Sequence, residues 1–187
     1  MNRIVLPLVA MALSTPAFAQ STGDTWAGNY LGVQLGNRLE SSFTLDSAPG
    51  LEEELDGIQG GGHFGFRRQR DAFVYGAEIE FLVSEPDLGG TDTRVTTSRI
   101  GGTFGYDLGR FLPYGTAGIG RMTFQDTIGF GDTSSFGTFG GLGVLYSLGQ
   151  STDIGVEAVR ESYQNFNEGA DNSVTQTTLS AQFNINF

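Results

Sequence analysis

The sequence predicts an all-β fold, an eight-stranded antiparallel up-and-down transmembrane β-barrel, and three observations carry that expectation. Eight segments of roughly ten residues alternate apolar and polar side chains, the period of a strand and the length that crosses a bilayer at a tilt. The connections between them alternate short and long. Aromatic residues gather at the segment ends beside the short connections, as an interfacial girdle requires.

The elements are read in order. The opening stretch MNRIVLPLVAMALSTPAFA combines Arg3, an apolar run from Ile4 to about Leu13, and small residues at Ala17 and Ala19. This predicts a secretory signal peptide over residues 1–19 and a barrel domain over 20–187. The run is shorter than the roughly 20 residues of a spanning helix, and Pro7 breaks it.

Segment one, WAGNYLGVQLG, sets Leu31, Val33 and Leu35 against Gly28, Tyr30, Gly32, Gln34 and Gly36. Segment two sets Ile58, Phe64 and Phe66 against Gln59, His63, Gly65 and Arg67. Segment three opposes Phe73, Tyr75, Ala77, Ile79, Phe81 and Val83 to Gly76, Glu78 and Glu80. Carboxylates alternating with bulky apolar groups in mid-strand need water or cations on their side.

Segment four opposes Ile100, Phe104 and Tyr106 to Thr97, Arg99, Gly101 and Gly105. Segment five, FLPYGTAGIGR, turns Tyr114, Thr116, Gly118 and Gly120 inward, with Pro113 held near a strand end. Segment six puts Leu142, Val144, Tyr146 and Leu148 outside. Segment seven, DIGVEAV, puts Ile154, Val156 and Ala158 outside and Gly155 and Glu157 inside. Segment eight, TLSAQFNINF, alternates Leu179, Ala181, Phe183, Ile185 and Phe187 with Ser180, Gln182, Asn184 and Asn186.

The short connections are RQRD, DLGR and GQST; the long ones are roughly residues 38 to 56, 84 to 93, 125 to 135 and 162 to 174. Short periplasmic turns and longer external loops follow this asymmetry, and an even strand number puts both termini on the periplasmic side. The girdle beside the short turns is expected from Phe66, Phe73, Tyr75, Tyr106, Phe111, Tyr146 and Phe187, and a second one from Phe81, Phe124 and Phe136. A soluble lipocalin-like barrel would reverse the two faces.

Composition narrows the function. With 21 acidic residues, 10 basic ones and a formal net charge of −11, the chain is a poor partner for nucleic acid. All ten basic residues are Arg, and there is no Cys, which removes disulfides, thiolate chemistry and thiolate metal sites.

The terminal alternation with Phe183, Ile185 and Phe187, and Leu179 upstream, resembles the C-terminal signal by which bacterial outer-membrane barrels are recognised by the barrel-assembly machinery. WAGNYLGVQLG is similar to the W-x-G-x-Y-x-G opening of the small opacity-type and outer-membrane-protein-A-like surface barrels, and GLGVLYSL is similar to their sixth strand. The resemblance extends over essentially the whole mature chain and implies an integral protein of a Gram-negative outer membrane. Two departures stand out. Leu145 occupies a place where such proteins often carry an inward acid, and Glu157, Ala158, Val159, Arg160 stand where E-Y-R-Y is common, so the interior ion network is expected to be smaller or differently wired.

The inward set Glu78, Glu80, Arg99, Glu157, Arg67 and His63 is the candidate site. An eight-stranded barrel is nearly filled by its own side chains, and Glu80 and Arg99, at similar depth on adjacent strands, are expected to pair. Tyr30 and Tyr114 should narrow any path. Catalysis of the lipid A deacylase type would need Ser, His and acid together, whereas His63, the one His, faces the lumen without an assigned partner. GGGHFGF lacks the Lys and helix of a phosphate loop. The run LEEELD with Asp46 reads as a solvated loop that could share a divalent cation with lipopolysaccharide phosphates, and Arg67, Arg68, Arg70 and Arg110 gather where anionic headgroups lie. No catalytic residue, metal or cofactor is expected. The predicted role is structural and interactive, through outer-membrane lipids and lipopolysaccharide and through a host or cell-surface ligand held by the loops. A small pore for ions or apolar molecules and a lipid-modifying enzyme are the alternatives.

Overall fold

The computed structural model describes residues 26–44, 57–84, 87–88, 91–92, 94–125, 133–164 and 173–187. The expected signal peptide and the LEEELD run lie outside the described residues. Eight long strands form one closed antiparallel barrel: β1 (Gly28–Thr44), β2 (Ile58–Arg70), β3 (Phe73–Ser84), β6 (Arg94–Tyr106), β7 (Phe111–Gln125), β8 (Thr133–Ser147), β9 (Thr152–Gln164) and β10 (Ser173–Asn186). Between β3 and β6 a two-stranded ribbon, β4 (Asp87–Leu88) with β5 (Thr91–Asp92), stands outside the barrel sheet.

Every neighbour around the barrel is its neighbour in sequence, and β1 closes against β10. Closure leaves no sheet edge, the condition for strands to cross hydrocarbon. The strands continue beyond the alternating segments read from sequence. Alternation fades where the wall leaves its apolar surroundings, while the backbone ladder continues in β1 to Thr44 and in β9 to Gln164.

The register fixes the geometry. A path perpendicular to the strands runs from Asn186 through Tyr30, Gly65, Glu78, Gly101, Gly118, Phe139 and Glu161, and returns to β10 at Gln176, ten residues from its start. With a rise of about 3.3 Å per residue and strands about 4.8 Å apart, that stagger over eight strands tilts them roughly 40° from the barrel axis.

The short turns use residues suited to them. Asp71, first residue of the two-residue turn between β2 and β3, has φ of 54°, a region that Asp tolerates better than most side chains. In the next turn Gly109 takes φ of 80° and donates its N–H to Asp107 Oδ1 at 2.7 Å.

The two faces are sorted inside out. Large apolar side chains stand on the outer wall, up to 74 % exposed at Leu142 and 72 % at Phe136, while Glu80, Arg99, Glu157 and Asn184 are buried within. An apolar outer band over a polar interior is the arrangement that lipid stabilises and water does not.

Candidate functional site

The interior falls into three layers along the barrel axis. At the end carrying the short turns, Trp26, Val74, Leu112 and Leu145 form a buried apolar cluster with Tyr114 packed on it. Val74, Leu112 and Leu145 reach it by lying in the inward phase of β3, β7 and β8. Trp26 precedes β1 and folds across the opening. Its indole Nε1 donates to Asp107 Oδ1 at 3.1 Å, its backbone N–H donates to Gln69 Oε1 at 3.0 Å, and Gln69 Nε2 donates to Asp107 Oδ2 at 2.7 Å. Two turns therefore hold one apolar lid, with the polar edge of the ring satisfied.

The middle layer is charged. Arg99 donates through Nη2 to Glu80 Oε2 and through Nη1 to Glu161 Oε1, the latter at 3.1 Å. Gln34 Nε2 adds a bond to Glu80 Oε2 at 2.7 Å, and Gln176 Nε2 donates to Glu161 Oε2. Nearer the short turns, Arg67 Nη1 donates to Asp153 Oδ2 at 3.1 Å, and its guanidinium lies over the Tyr30 ring at 3.9 Å. Asp153 also accepts from Asn184 Nδ2 at 2.5 Å and Asn186 Nδ2 at 3.0 Å.

Three carboxylates accept from phenols: Tyr30 donates to Glu78 Oε2 at 2.8 Å, Tyr114 to Glu157 Oε2 at 2.7 Å and Tyr163 to Glu161 Oε1 at 3.2 Å. His63 shares a 2.5 Å hydrogen bond between Nε2 and Asn184 Oδ1, and Nε2 lies 4.0 Å from Glu78 Oε2. Gly32 makes that contact possible, because a Cβ there would stand 2.1 Å from both the His63 ring and the Asn184 amide. The cavity between the charged layer and the apolar lid is about 10 Å³, room for about one water.

At the opposite end Val95, Met122, Tyr163 and Val174 form a second buried apolar cluster. Phe124 packs against it from β7, so this residue belongs to the interior and not to the second aromatic girdle expected from sequence. Phe81 and Phe136 do face outward.

The six inward residues selected from sequence all line the interior. Glu80 and Arg99 sit in direct register on β3 and β6, and Glu78, Glu157, Arg67 and His63 join the networks above. Arg67 is buried against Asp153, so of the four arginines expected near headgroups only Arg68, Arg70 and Arg110 remain on the exterior. Phe66, Phe73, Tyr75, Tyr106 and Phe111 are exposed beside the short turns, and Tyr146 is half-buried there against Phe111. Leu179, Phe183, Ile185 and Phe187 all face outward, and Phe187 exchanges backbone hydrogen bonds with Asn29, closing the seam of the barrel.

Asp153, Glu161, Arg38, Gln176 and Asn184 were not singled out from sequence. Phase alone would have found Glu161 and Arg38, two residues beyond Val159 and Gly36 on inward faces whose segments were ended too early. Leu145, conspicuous as a missing acid, is a member of the apolar lid.

A closed barrel with an apolar exterior, an interior of charged and apolar layers, and exposed aromatic residues beside its short turns has the build of an outer-membrane β-barrel. The chain belongs to the outer membrane protein beta-barrel domain family, whose model matches residues 5–187. No curated protein matches it in sequence. Among solved structures it is similar to Neisserial surface protein A at 14% identity, covering 86% of this chain and 98% of that one with a TM-score of 0.66. It is also similar to Ail, the attachment invasion locus protein of Yersinia pestis, at 12% identity, 84% and 99% coverage and a TM-score of 0.51. The outer membrane enzyme PagL is comparable at 13% identity, 81% and 97% coverage and a TM-score of 0.50. At these identities the likeness is one of fold.

Proposed function

We propose that the protein is a closed scaffold of the outer membrane that stabilises the bilayer and presents its long connections at the cell surface, with both termini periplasmic. The observation that carries this reading is the filled lumen: Trp26, Val74, Leu112 and Leu145 block one end, and a small cavity beside them holds about one water. A passive pore needs a continuous wet path, which this packing opposes.

The enzyme alternative finds no support in the geometry around His63. Its Nε2 is engaged by the Asn184 amide oxygen and its Nδ1 is buried without a partner, so neither nitrogen meets a nucleophile among the described residues. The partners proposed are the lipids of the outer membrane and lipopolysaccharide, the assembly machinery acting on the outward face of β10, and a host or cell-surface ligand. Two structural relatives, Neisserial surface protein A and the attachment invasion locus protein of Yersinia pestis, favour the last.

The test is single-channel recording of refolded protein in planar bilayers at two salt concentrations, with heat-modifiable gel mobility as the folding control. Folded protein is expected to be silent. Reproducible steps that scale with salt would overturn the closed-scaffold reading. Trp26→Ala trims the lid but leaves Val74, Leu112 and Leu145, the charged layer and the second apolar cluster in place, so it is expected to stay silent as well.

A further inference from the structure

Among the described residues three guanidinium groups point into the barrel, and two of them meet carboxylates. Arg99 binds Glu80 and Glu161, and Arg67 binds Asp153. Arg38 is 4 % exposed, and among the described residues its one side-chain hydrogen bond is from Nη2 to Ser84 Oγ at 2.6 Å. Its Nε and Nη1 are buried without a partner.

The surroundings repeat the deficit. Gln59 Nε2 and Thr178 Oγ1 are also buried without partners. Register gathers them around Arg38: Thr178 lies directly opposite on β10, and Gln59 lies opposite Ser84, on the strand that the Arg38 side chain crosses to reach Ser84. Gln176, one inward position from Thr178, offers an unpartnered acceptor, Oε1, and the Thr178 hydroxyl can accept as well as donate. Glu161, the acid whose field reaches Arg38, already accepts from Arg99, Gln176 and Tyr163.

Among the described residues this corner thus has a surplus of donors, a guanidinium charge with no carboxylate in contact and almost no exposed surface. A water would satisfy some N–H groups and leave the charge. An acceptor-only guest satisfies the donors together and cancels it. We propose that Arg38, Gln59 and Thr178 form a binding site for a small monovalent anion of the halide class, inside the barrel at the end away from the short turns.

The test is urea unfolding of the refolded barrel in detergent, in sodium chloride or sodium bromide against sodium gluconate at fixed ionic strength. The expected result is a midpoint that rises saturably with halide. Gln59→Leu, which keeps Arg38 and removes one donor, should raise the half-saturating concentration about tenfold. Arg38→Met should abolish the halide effect, and bromide should give anomalous density beside Arg38 in crystals. The proposal is overturned by equal midpoints in halide and gluconate, by an equal halide effect in Gln59→Leu and the parent, or by density that fits water alone. Because Gln59 carries no charge, that variant decides the matter even if Arg38→Met fails to fold.

Discussion

Replacing Arg99 by methionine keeps much of the side-chain volume and removes the one cation shared by Glu80 and Glu161. Both acids are buried, and each retains neutral donors, Gln34 for Glu80 and Gln176 with Tyr163 for Glu161. Removing one partner of a buried ion pair typically costs about 3–5 kcal/mol, because the remaining charge is stranded. Here the retained amide and phenol bonds set a floor under the loss, while two stranded acids push it up, so a loss of about 4 kcal/mol is expected. Urea unfolding of the barrel in lipid vesicles reads this directly. Arg99→Met combined with Glu80→Gln and Glu161→Gln removes the stranded charges and should recover more than half of the loss. A single variant within about 1 kcal/mol of the parent, the range of an exposed pair, would refute the reasoning. So would a triple variant no more stable than Arg99→Met.

Two further outcomes follow from the wall. Gly32→Val places a side chain where the His63 ring meets the Asn184 amide; separating them should destabilise the barrel by about 1–3 kcal/mol, whereas Gly62→Val, whose nearest contact for an added Cβ is 3.4 Å away on the outer wall, should cost far less in the same unfolding assay. Phe187→Ala leaves the backbone bonds to Asn29 available, so it should slow insertion by purified assembly machinery without changing spontaneous refolding into thin bilayers; equal slowing in both assays would reassign Phe187 to the barrel seam alone.

The outer face was legible because lipid imposes a simple rule on it. From Phe73 to Val83, every second residue of β3 is apolar and outward, and a period of two with acids between admits one assignment once the compartment is known. The rule weakens at the rim. Past Ala158 the outward positions of β9 are Arg160, Ser162 and Gln164, no longer apolar, so the pattern ended while the ladder continued. Phe124 shows the same effect in reverse: an aromatic residue near a strand end reads as girdle, but its even-numbered phase on β7, shared with Leu112 and Met122, turns it inward.

The interior was legible only between adjacent strands. Glu80 opposite Arg99 needs no more than two hairpin registers counted from the short turns. The second partner of Arg99 is different in kind, since Glu161 is on β9, with β7 and β8 intervening in the wall. Contacts across the lumen depend on the stagger with which the sheet closes, and that quantity belongs to the whole ring. The alternation that defines each strand is unchanged by sliding its neighbour two residues, which preserves every face while moving every inward charge. A stagger of ten brings Arg99 within reach of Glu161 and leaves Arg38 beside Ser84, Gln59 and Thr178. The charges inside this barrel are individually predictable from sequence, and the partners of those charges across the lumen are a property of closure.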